Sequence, residues 1–416
     1  MNIYFSGIGG VGLGPLAEIA HDAGHRVLGS DLETGLMTER LTASGITVHI
    51  GPQDGSFLRQ SNDEQAVDWF IYTAALPLDN PELLYAQSLG IRVAKRDELL
   101  AHIIHEKNLK LIAVTGTHGK TTTTGMMIWT LQQLGIPVSY SVGTTIQFGP
   151  SGHFDPTSEY FVYECDEFDR NFLHFSPYLS LITALDHDHY DTFPTERDYL
   201  DAFHQFATQS QHVIAWNDQH AEAFAGLENI TLLDPSAVDE NIAVSGDHNR
   251  RNATLVETAI RRLGVNDDIH DILSHFPGTD RRFEKLADNL YSDYGHHPVE
   301  IAATLQLARE VSDHVVLVYQ PHQNVRQHEL LGHYTNQFEL ADEIYWLPTY
   351  LSREDPDLTI LAPEDLIQTI TNQEHVHIAE FNDDLWDVIQ QARRDGKLVL
   401  GMGAGAIDGW LRDRLG

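Results

Sequence analysis

Short apolar runs alternate with helix-like stretches along the first hundred residues of the chain. The runs predict strands over Asn2–Ser6, Arg26–Ser30, Thr47–Ile50, Trp69–Tyr72 and Arg92–Ala94. Two of the stretches between them predict helices over Pro15–Ala23 and Pro81–Leu89. Strands that alternate with helices in this way are typical of a parallel, doubly wound sheet.

The alternation resumes after the polar stretch His105–Lys110, which we interpret as a hinge. Further strands are predicted over Leu109–Val114, Phe161–Glu164, Leu179–Thr183 and His212–Ala215, and helices over Thr121–Leu134 and Arg197–Ser210. The composition changes again at Phe276-Pro277-Gly278, before strands predicted over Asn289–Ser292, Val315–Tyr319 and Leu398–Gly401. The sequence therefore predicts an α/β protein of three domains, over residues 1–107, 108–276 and 277–416. We expect Rossmann-like N- and C-terminal domains around a central domain of the phosphate-loop type.

Charge limits the partners that this chain can take. Its 416 residues include 61 acidic and 26 basic side chains, which gives a formal net charge of −35. Such a charge repels nucleic acid and anionic membrane surfaces, so we expect neither as a partner. An anionic ligand would need local basic side chains, backbone amides or a metal ion to hold it.

The single cysteine, Cys165, excludes an internal disulfide and suits a reducing compartment. The chain enters a strand pattern directly at its N-terminus, and no run approaches the roughly 18 apolar residues that a membrane-spanning helix needs. We therefore expect a cytoplasmic protein without membrane insertion, either a monomer or a dimer.

The segment from Ala113 to Thr124, AVTGTHGKTTTT, carries the most specific signal in the chain. It leads from an apolar strand through a glycine turn into a helix that starts near Lys120 and Thr121. Backbone amides in such a turn meet phosphate oxygens, the lysine neutralises phosphate charge and the threonine hydroxyl ligates Mg²⁺. Val114 stands where the strict pattern has its first glycine, so a purely structural turn is the alternative. We predict that a nucleoside triphosphate is bound by Gly116, Thr117, His118, Gly119, Lys120, Thr121 and Thr122.

A second glycine turn, Gly7–Gly12 (GIGGVG), follows the first predicted strand, and Asp31 closes the next one. Amides in this context can hold a pyrophosphate, while the carboxylate binds a ribose hydroxyl. By itself the turn fits a nicotinamide dinucleotide and a nucleotide-sugar equally well. A third possibility is a turn with a purely structural role.

An acidic loop, Glu164–Asp169 (ECDEFD), follows a strand of the predicted central domain. Carboxylates at the carboxyl end of such a strand lie where a second Mg²⁺ ligand is expected. Glu164 adjoins the strand and is the best candidate. For Asp166, Glu167 and Asp169 a solvated acidic loop is an equally good interpretation.

Other polar loops also follow predicted strands. Asp186–Asp191 (DHDHYD) carries two imidazoles, which fit a metal site, a γ-phosphate contact or ordinary surface histidines. Gly278–Phe283 places two arginines at a predicted domain junction, where contact with a polyanion is favoured over solvation. Ser292–Pro298 and Gln320–Arg326 lie where an open α/β sheet binds its ligands.

Taken in order, these loops resemble the motifs of the Mur ligases, the ATP-dependent amino-acid ligases of peptidoglycan precursor synthesis. The resemblance covers essentially the whole chain. It runs through GIGGVGLG at 7–14, GSD at 29–31, TGTHGKTTTT at 115–124, ECDEFD at 164–169, DHDHYDT at 186–192, GDHNRRNA at 246–253, GTDRRF at 278–283, DYGHHPVEI at 293–301, QPHQNVR at 320–326 and GMGAGAI at 401–407.

The resemblance implies ATP and Mg²⁺ as cofactors and assigns residues to them. Lys120 would bind the β- and γ-phosphates of ATP, and the magnesium ligands would be Thr121, Glu164 and His189. Asn249 and Asn252 match the asparagines on the adenine side, and Asp293 matches the acidic residue at the ATP ribose.

The resemblance also assigns residues to the other substrates. Arg282 matches the phosphate-side arginine at the domain joint. The incoming amino acid would be held by Tyr294, His296 and Arg326. A UDP-sugar diphosphate, rather than NAD, would lie on the N-terminal turn at Gly9, Gly10, Gly12 and Asp31. Catalysis is expected of Lys120, His189, Arg282 and His296.

The implied reaction joins an amino acid, L-alanine in the nearest-looking members, to the carboxylate of UDP-N-acetylmuramate through an acyl phosphate. Three departures from the family pattern bear on it. Gln323 stands where an arginine is usual, and a neutral amide cannot replace a bidentate guanidinium. Phe168 replaces a serine, as an aromatic does in peptide-recycling relatives. Between Trp216 and Gly246 the chain is shorter than usual, so we expect the central domain to lack its small β-subdomain.

Two alternatives stay open. One is a ligase that returns a murein tripeptide to UDP-N-acetylmuramate, which Phe168 and Gln323 leave open. The other is a nucleotide-binding homologue without turnover, against which the intact set of Lys120, Thr121, Glu164 and His189 argues.

Overall fold

The computed structural model describes residues 1–73, 76–189, 192–218, 220–352 and 354–416. They form two compact units, the first comprising residues 1–238 and 254–272 and the second residues 239–253 and 273–416. Three sheets, two in the first unit and one in the second, confirm the predicted α/β class.

The first unit begins with a five-stranded parallel sheet. Its strands are β1 (Asn2–Ser6), β2 (Arg26–Asp31), β3 (Thr47–Ile50), β4 (Trp69–Tyr72) and β5 (Arg92–Lys95), in the order β3-β2-β1-β4-β5. Its helices are α1 (Leu13–Asp22), α2 (Leu36–Ala43), α3 (Ser56–Glu64), α4 (Pro81–Ser88) and α5 (Arg96–Glu106). The chain reverses direction across the sheet at β1, and the glycine turn follows this strand at the place where such folds bind nucleotides.

Alternate residues of β1 enter different cores on the two faces of this sheet. Ile3 and Phe5 pack in a core with α1 and α5, and Tyr4 packs in another with α3 and α4. Because both faces are buried, the strand is a continuous apolar run, as expected of a parallel sheet covered by helices. The same property made β1 predictable from the sequence.

A seven-stranded sheet completes the first unit. Its strands are β6 (Lys110–Thr115), β7 (Val138–Ser141), β8 (Gly152–His153), β9 (Tyr160–Glu164), β10 (Leu179–Ile182), β11 (His212–Trp216) and β12 (Ile230–Leu233), in the order β12-β11-β10-β6-β9-β7-β8. All neighbouring pairs are parallel except β7 with β8. Its principal helices are α6 (Lys120–Gln133) and α7 (Glu196–Gln209).

The register places three strand ends side by side in the centre of this sheet. Val114 of β6 pairs with Glu164 of β9, and Thr115 pairs with Ile182 of β10. The loops that follow β9, β6 and β10 therefore leave neighbouring strands at one edge. The loop after β6, residues 116–119, is called the phosphate loop below. The acidic loop follows β9, and the loop after β10, which carries His187 and His189, is called the histidine loop.

The segment between Trp216 and Gly246 is simple. Within residues 217–218 and 220–245 the structure has the edge strand β12 and two short 3-10 turns, at Ala221–Phe224 and Pro235–Ala237, and no additional sheet. This agrees with the expected loss of a β-subdomain. The helices α8 (Asp247–Arg262) and α9 (His270–Ser274) follow, and each has residues in both units.

The second unit contains a six-stranded sheet. Its strands are β13 (Glu284–Ala287), β14 (Leu290–Asp293), β15 (Val315–Tyr319), β16 (Glu343–Trp346), β17 (Val376–Ile378) and β18 (Leu398–Met402), in the order β13-β14-β18-β15-β16-β17. Its helices are α10 (Pro298–Val311), α11 (Asn324–Leu330), α12 (Pro363–Ile367), α13 (Asp383–Arg394) and α14 (Ile407–Leu415). The first two strands form an antiparallel hairpin, and the other neighbouring pairs are parallel.

Several elements escaped the sequence prediction. The edge strands β8 and β12 are short or half-exposed, so they lack the long apolar run that marks a buried parallel strand. The hairpin strand β13 has two charged residues followed by two apolar ones (EKLA), none of them fully buried, so its sequence shows no strand pattern. The polar stretch His105–Lys110 is a short connection from α5 to β6, with both elements in the first unit.

Membrane insertion was not expected from the sequence. Among the residues that the structure describes, no helix combines the length and the apolar character needed to cross a bilayer.

A charged clamp fixes the start of α8 within the second unit. Arg250 donates two hydrogen bonds to Glu310 of α10, at 2.7 Å to Oε1 and 3.0 Å to Oε2, and the Gly246 amide donates to Oε2 at 2.9 Å. The hydrogen bonds from Arg250 lower the pKa of Glu310 to about 2. The pKa of Glu310 is therefore lower in the folded than in the unfolded chain. Its contribution to the stability of the fold is fully present above about pH 4.5 and is lost as the pH falls towards 2.

We expect Glu310→Gln to lower the free energy of unfolding at pH 7 by about 1 kcal/mol, the upper range for a partly exposed pair. The difference from the wild type should stay constant between pH 7 and pH 5, then shrink by pH 3, in urea titrations. Glu240→Gln is the control, since Glu240 is 78% exposed and lies 3.7 Å from Arg250. A difference that is unchanged at pH 3 would contradict the assignment.

Candidate active site

The phosphate loop between β6 and α6 is shaped by close backbone packing. Gly116 has φ of +125°, and a Cβ there would lie 2.5 Å from Thr183 Oγ1 and 2.7 Å from the Ala184 carbonyl oxygen. Gly119 has φ of +83° and precedes the first residue of α6. Only glycine fits such positions without strain. Gly116 therefore lets the loop lie tightly against the residues that follow β10, and Gly119 provides the left-handed turn into α6.

Side chains of the loop also bind the loop after β10. The Thr117 hydroxyl donates to the Asp186 carbonyl at 2.7 Å, accepts from the Asp186 amide at 2.7 Å and shares a hydrogen bond with the Tyr199 hydroxyl at 2.6 Å. The His118 ring lies 3.4 Å from the Asp186 carboxylate. Thr117 is thus held in place by the protein itself. The first backbone amides of α6, up to that of Thr122, have no acceptor within the helix and can therefore bind an anion.

Lys120 is held by a buried carboxylate. Its Nζ lies 2.9 and 3.1 Å from the oxygens of Glu167, which is fully buried, and donates to the Gly116 carbonyl at 2.6 Å. Burial alone would lower the pKa of Lys120, but the carboxylates of Glu167 and Asp166 outweigh it and raise the pKa. Lys120 is therefore charged, and a phosphate that binds it would compete with Glu167 for its N–H donors.

Thr121 and Glu164 lie together at the other side of the loop. The Thr121 hydroxyl donates to Glu164 Oε1 at 2.8 Å, and the Gly143 amide donates to Oε2 at 2.7 Å. A Cβ on Gly143 would come within 2.9 Å of both carboxylate oxygens, so the glycine leaves room for this side chain. Hydroxyl and carboxylate oxygens are the ligand type that Mg²⁺ prefers.

His189 lies beside Glu167 rather than beside Glu164. Its Nε2 is 3.9 Å from Glu167 Oε1, and its ring meets the edge of Phe168 at 5.2 Å between centroids. Ligand atoms of Asp166, Glu167 and His189 come within 4.8 Å of one another. The predicted metal ligands are therefore divided between two neighbouring groups. Tyr190 and Asp191 of the same motif lie outside the described residues.

The N-terminal glycine turn carries a carboxylate of its own. The amides of Gly7 and Ile8 donate to the Ser30 carbonyl at 2.9 and 3.0 Å, and the Gly10 amide donates to the Gly7 carbonyl at 3.0 Å. The Gly9 amide donates to Asp31 Oδ2 at 2.7 Å. Asp31, predicted to contact a ribose, thus also closes the turn, and Gly12 caps α1.

A buried carboxylate supports the strands below this turn. Glu82, at the start of α4, accepts hydrogen bonds from the hydroxyl groups of Tyr4 at 2.6 Å and of Ser6 and Ser30 at 2.7 Å. It is 1% exposed. Ser6 ends β1, and the Ser30 carbonyl accepts the amides of Gly7 and Ile8, so Glu82 fixes the base of the turn. The sequence analysis missed this residue because Asn80-Pro81-Glu82 looks like an ordinary helix start.

In the second unit, the loop after β14 is organised around Asp293. Its carboxylate accepts the amides of Gly295 at 2.7 Å and Phe283 at 2.8 Å, and burial raises its pKa to about 6 although Arg282 opposes the shift. The Arg282 guanidinium lies 5.2 Å from the centre of the Tyr294 ring. Both oxygens of Asp293, the residue predicted to lie at the ATP ribose, therefore accept hydrogen bonds from backbone amides of this region.

The residues predicted to hold the amino acid come together in the same unit. His296 Nδ1 lies 3.1 Å from the Tyr294 carbonyl oxygen, so Nδ1 carries the proton and Nε2 is an acceptor. Burial lowers the pKa of His296 to about 4, so the ring is neutral at pH 7. His322 lies 5.7 Å from His296 and stacks on Tyr350, and its pKa is lowered by burial and by Arg326.

The two asparagines predicted on the adenine side lie on α8 in different settings. Asn249 donates to the Ser245 carbonyl at 3.0 Å near the surface. Asn252 is 5% exposed, and its side-chain nitrogen finds no acceptor among the described residues. A buried amide donor without a partner is costly, which favours a ligand acceptor at this position.

The acidic loop divides between the two interpretations offered for it. Glu167 is buried against Lys120, so the solvated alternative was wrong for it. Asp169 has an exposed side chain that pairs with Lys95, so for this residue the solvated alternative was right. The spacing of Glu167 from Lys120 in the sequence gave no signal, because only the register of β6 against β9 brings Glu167 under the loop.

Comparison with known proteins places this geometry in a family. Family models match the Mur ligase family catalytic domain over residues 2–108, the Mur ligase middle domain over 114–280 and the Mur ligase glutamate ligase domain over 281–405. The UDP-N-acetylmuramate–L-alanine ligase of Carboxydothermus hydrogenoformans is 32% identical, over 98% of this chain and 94% of that protein. The chain belongs to the Mur ligase family. It is therefore an ATP-dependent, amide-bond-forming ligase with three α/β domains.

Solved Mur ligase structures share the fold along the whole chain. The UDP-N-acetylmuramate–alanine ligase MurC of Thermotoga maritima has a TM-score of 0.77 and 25% identity, over 100% of this chain and 98% of that one. A murein peptide ligase of Psychrobacter arcticus has a TM-score of 0.64 and 22% identity, over 100% and 98%. The domain boundaries and the individual residue roles stay predictions.

Gly116→Ala tests the packing that shapes the phosphate loop. The added Cβ would overlap Thr183 and Ala184, at a φ that an alanine avoids. We expect the free energy of unfolding to fall by about 2–4 kcal/mol and the affinity for a fluorescent ATP analogue to fall at least roughly tenfold.

Gly135→Ala is the matched control in the same unit. Gly135 also has a positive φ, +68°, but a Cβ added there would find no other atom within 4 Å. We expect Gly135→Ala to lower the free energy of unfolding by about 1–2 kcal/mol and to leave the affinity for the ATP analogue unchanged. Wild-type affinity in Gly116→Ala would refute the role given to the loop packing.

Proposed function

We propose that this protein joins L-alanine to the carboxylate of UDP-N-acetylmuramate, with conversion of ATP to ADP and phosphate, in peptidoglycan precursor synthesis. The observation that carries the proposal is the position of Lys120 and Thr121 at a helix start, beside carboxylates from the loop after the neighbouring strand β9. The named substrates of the relatives that align with the whole chain support the choice of sugar nucleotide and amino acid.

ATP with Mg²⁺ fits the residues around the phosphate loop. Thr121 and Glu164 offer oxygen ligands, and Gly143 leaves the space that the Glu164 carboxylate needs. Bound Mg²⁺ would supply neutralisation of the phosphate charge there. Lys120 would exchange Glu167 for phosphate oxygens, and the unpartnered amide of Asn252 would serve the adenine.

In the proposed reaction, a carboxylate oxygen of the sugar nucleotide attacks the γ-phosphorus of ATP, and the bond to ADP breaks. The amine nitrogen of alanine then attacks the acyl carbon, phosphate leaves, and the amine releases its proton. Lys120 and Arg282 would position and neutralise the anionic groups. His296, neutral at pH 7, offers Nε2 as an acceptor for an amine hydrogen.

One observation favours a second amine substrate. Gln323, which adopts φ of +58° and donates its amide to the Tyr350 carbonyl at 2.8 Å, provides no positive charge for an amino-acid carboxylate. A murein tripeptide would present its carboxylates elsewhere, so this neutral position suits it as well. The amine screen therefore includes a tripeptide.

Release of ADP and phosphate tests the proposal, with UDP-N-acetylmuramate and ATP at saturation and one amine added at a time. We expect turnover with L-alanine and a product whose mass is that of the amide. Product from the tripeptide alone would favour the recycling ligase, and binding without turnover would favour a non-catalytic homologue.

Lys120→Met should lower kcat by roughly two to three orders of magnitude, as expected when a main charge-stabilising donor is lost. Lys110→Met is the control, because Lys110 pairs with Glu159 at the opposite end of β6 and should turn over at the wild-type rate. A near-wild-type rate in Lys120→Met would contradict the proposal.

A further inference from the structure

Arg96, the first residue of α5, lies against the N-terminal glycine turn. A Cβ on Gly12 would be only 3.0 Å from Arg96 Nη1 and 3.6 Å from its Cδ. Gly12 itself has φ of −93° and ψ of −28°, a conformation open to any residue. The glycine at this position is therefore explained by the space that the arginine occupies and not by the backbone.

The guanidinium of Arg96 is weakly bound by the protein. Within the described part of the chain, its hydrogen-bond acceptor is the neighbouring Asp97, at 3.5 Å from Nη2, and the Nε–Oδ2 distance is 3.4 Å. Asp97 has a second partner in the hydroxyl group of Tyr163. A guanidinium has five N–H donors, so most of those of Arg96 remain for another acceptor.

Arg96 also brings a positive charge to the turn. Among the nearest atoms to a Cβ added at the glycines of this turn, those of Arg96 are found at Gly12 and those of Asp31 at Gly9. A diphosphate on this turn would meet a carboxylate at one amide. In a chain with a net charge of −35, it needs a local cation to be held.

The pKa of Arg96 is also affected by residues of β9 and of the acidic loop that follows it. Its pKa is raised, chiefly by Tyr163 and also by Asp97 and Asp166, although partial burial opposes the shift. Asp166 in turn acts on the charge of Lys120. Arg96 thus lies against the glycine turn and is within electrostatic range of the acidic loop, both in the first unit.

We propose that Arg96 binds the diphosphate of the sugar nucleotide on the GIGGVG turn, with its guanidinium donating to phosphate oxygens beside the start of α1. The inference rests on the proposed function for the identity of the donor substrate. Gly12 serves it by leaving the guanidinium its place. The β5–α5 junction then contributes directly to the donor site, a role that no motif in the sequence suggested.

The test compares Kd values for UDP and UMP, measured by calorimetry on the full chain. Arg96→Gln should weaken UDP binding roughly 10- to 100-fold, the effect of losing charged hydrogen bonds, and UMP binding much less. Arg96→Lys should restore part of the affinity, since it keeps the charge without the bidentate fork. Affinity for an ATP analogue should not change.

Arg26→Gln is the control, because Arg26 is exposed at the opposite end of β2 and its loss changes the net charge equally. It should bind UDP as the wild type does. Thermal unfolding without ligand should show the same midpoint, within a few degrees, for all three variants. A large drop for Arg96→Gln, with equal losses for UDP and UMP, would mean a structural role and overturn the inference.

Three further outcomes are distinct. If Arg96→Gln weakens UDP-N-acetylmuramate but not UDP, the arginine binds the sugar's carboxylate and the diphosphate assignment is wrong. If the wild type binds UDP and Arg96→Gln binds it equally well, the inference fails while the proposed function stands. A wild type that binds no UDP at all would overturn the proposed function itself.

Gly12→Ala adds a steric test without a change in charge. The added Cβ should displace the Arg96 guanidinium and so weaken UDP binding when Arg96 is present. The loss of UDP affinity caused by Gly12→Ala should be clearly smaller in the Arg96→Gln background. Additive losses in the double variant would show that Gly12 and Arg96 act independently.

Discussion

The close contact between Gly116 and the strand end at Thr183 and Ala184 is the constraint on which the central sheet's chemistry depends. It brings the loop after β6 onto the loop after β10 with no space for a side chain between them. The register with β9 then adds the acidic loop on the other flank. Three polar loops that are far apart in the sequence become one cluster through ordinary parallel pairing.

Several N–H donors of the first unit already bind carboxylates of the same chain. Lys120 is bound by Glu167, Lys95 by Asp169, and the amide of Gly9 by Asp31. A phosphate that binds the Lys120 ammonium or the Gly9 amide therefore competes with a carboxylate that the chain already supplies. The binding free energy of such a phosphate would be the difference between its own interaction with the donor and that of the carboxylate. Salt in the buffer weakens both interactions.

The strands with long apolar runs were predictable to within a residue, as β1, β4 and β15 show. Their burial on both faces leaves a clear pattern in the sequence. The glycine turns and their following lysine, threonine or aspartate were also visible, because backbone geometry and anion chemistry restrict those residue types. Short edge strands such as β8 leave no such pattern.

What escaped the sequence are pairings made by tertiary structure. Glu167 looked like any acid of its loop, and only its burial under Lys120 distinguishes it. Glu82 and Arg96 each stand at the start of a helix, where charged residues are common. Their functions follow from what the sheet brings against them, and composition or spacing carries no information about that.

The one thiol in the chain has a practical consequence. Cys165 follows β9 directly, is fully buried and has its pKa raised well above the usual value by burial. A buried, protonated thiol reacts poorly with alkylating reagents. A cysteine introduced on the surface would thus be labelled almost alone, so fluorescent or spin probes can be attached to the otherwise unaltered enzyme.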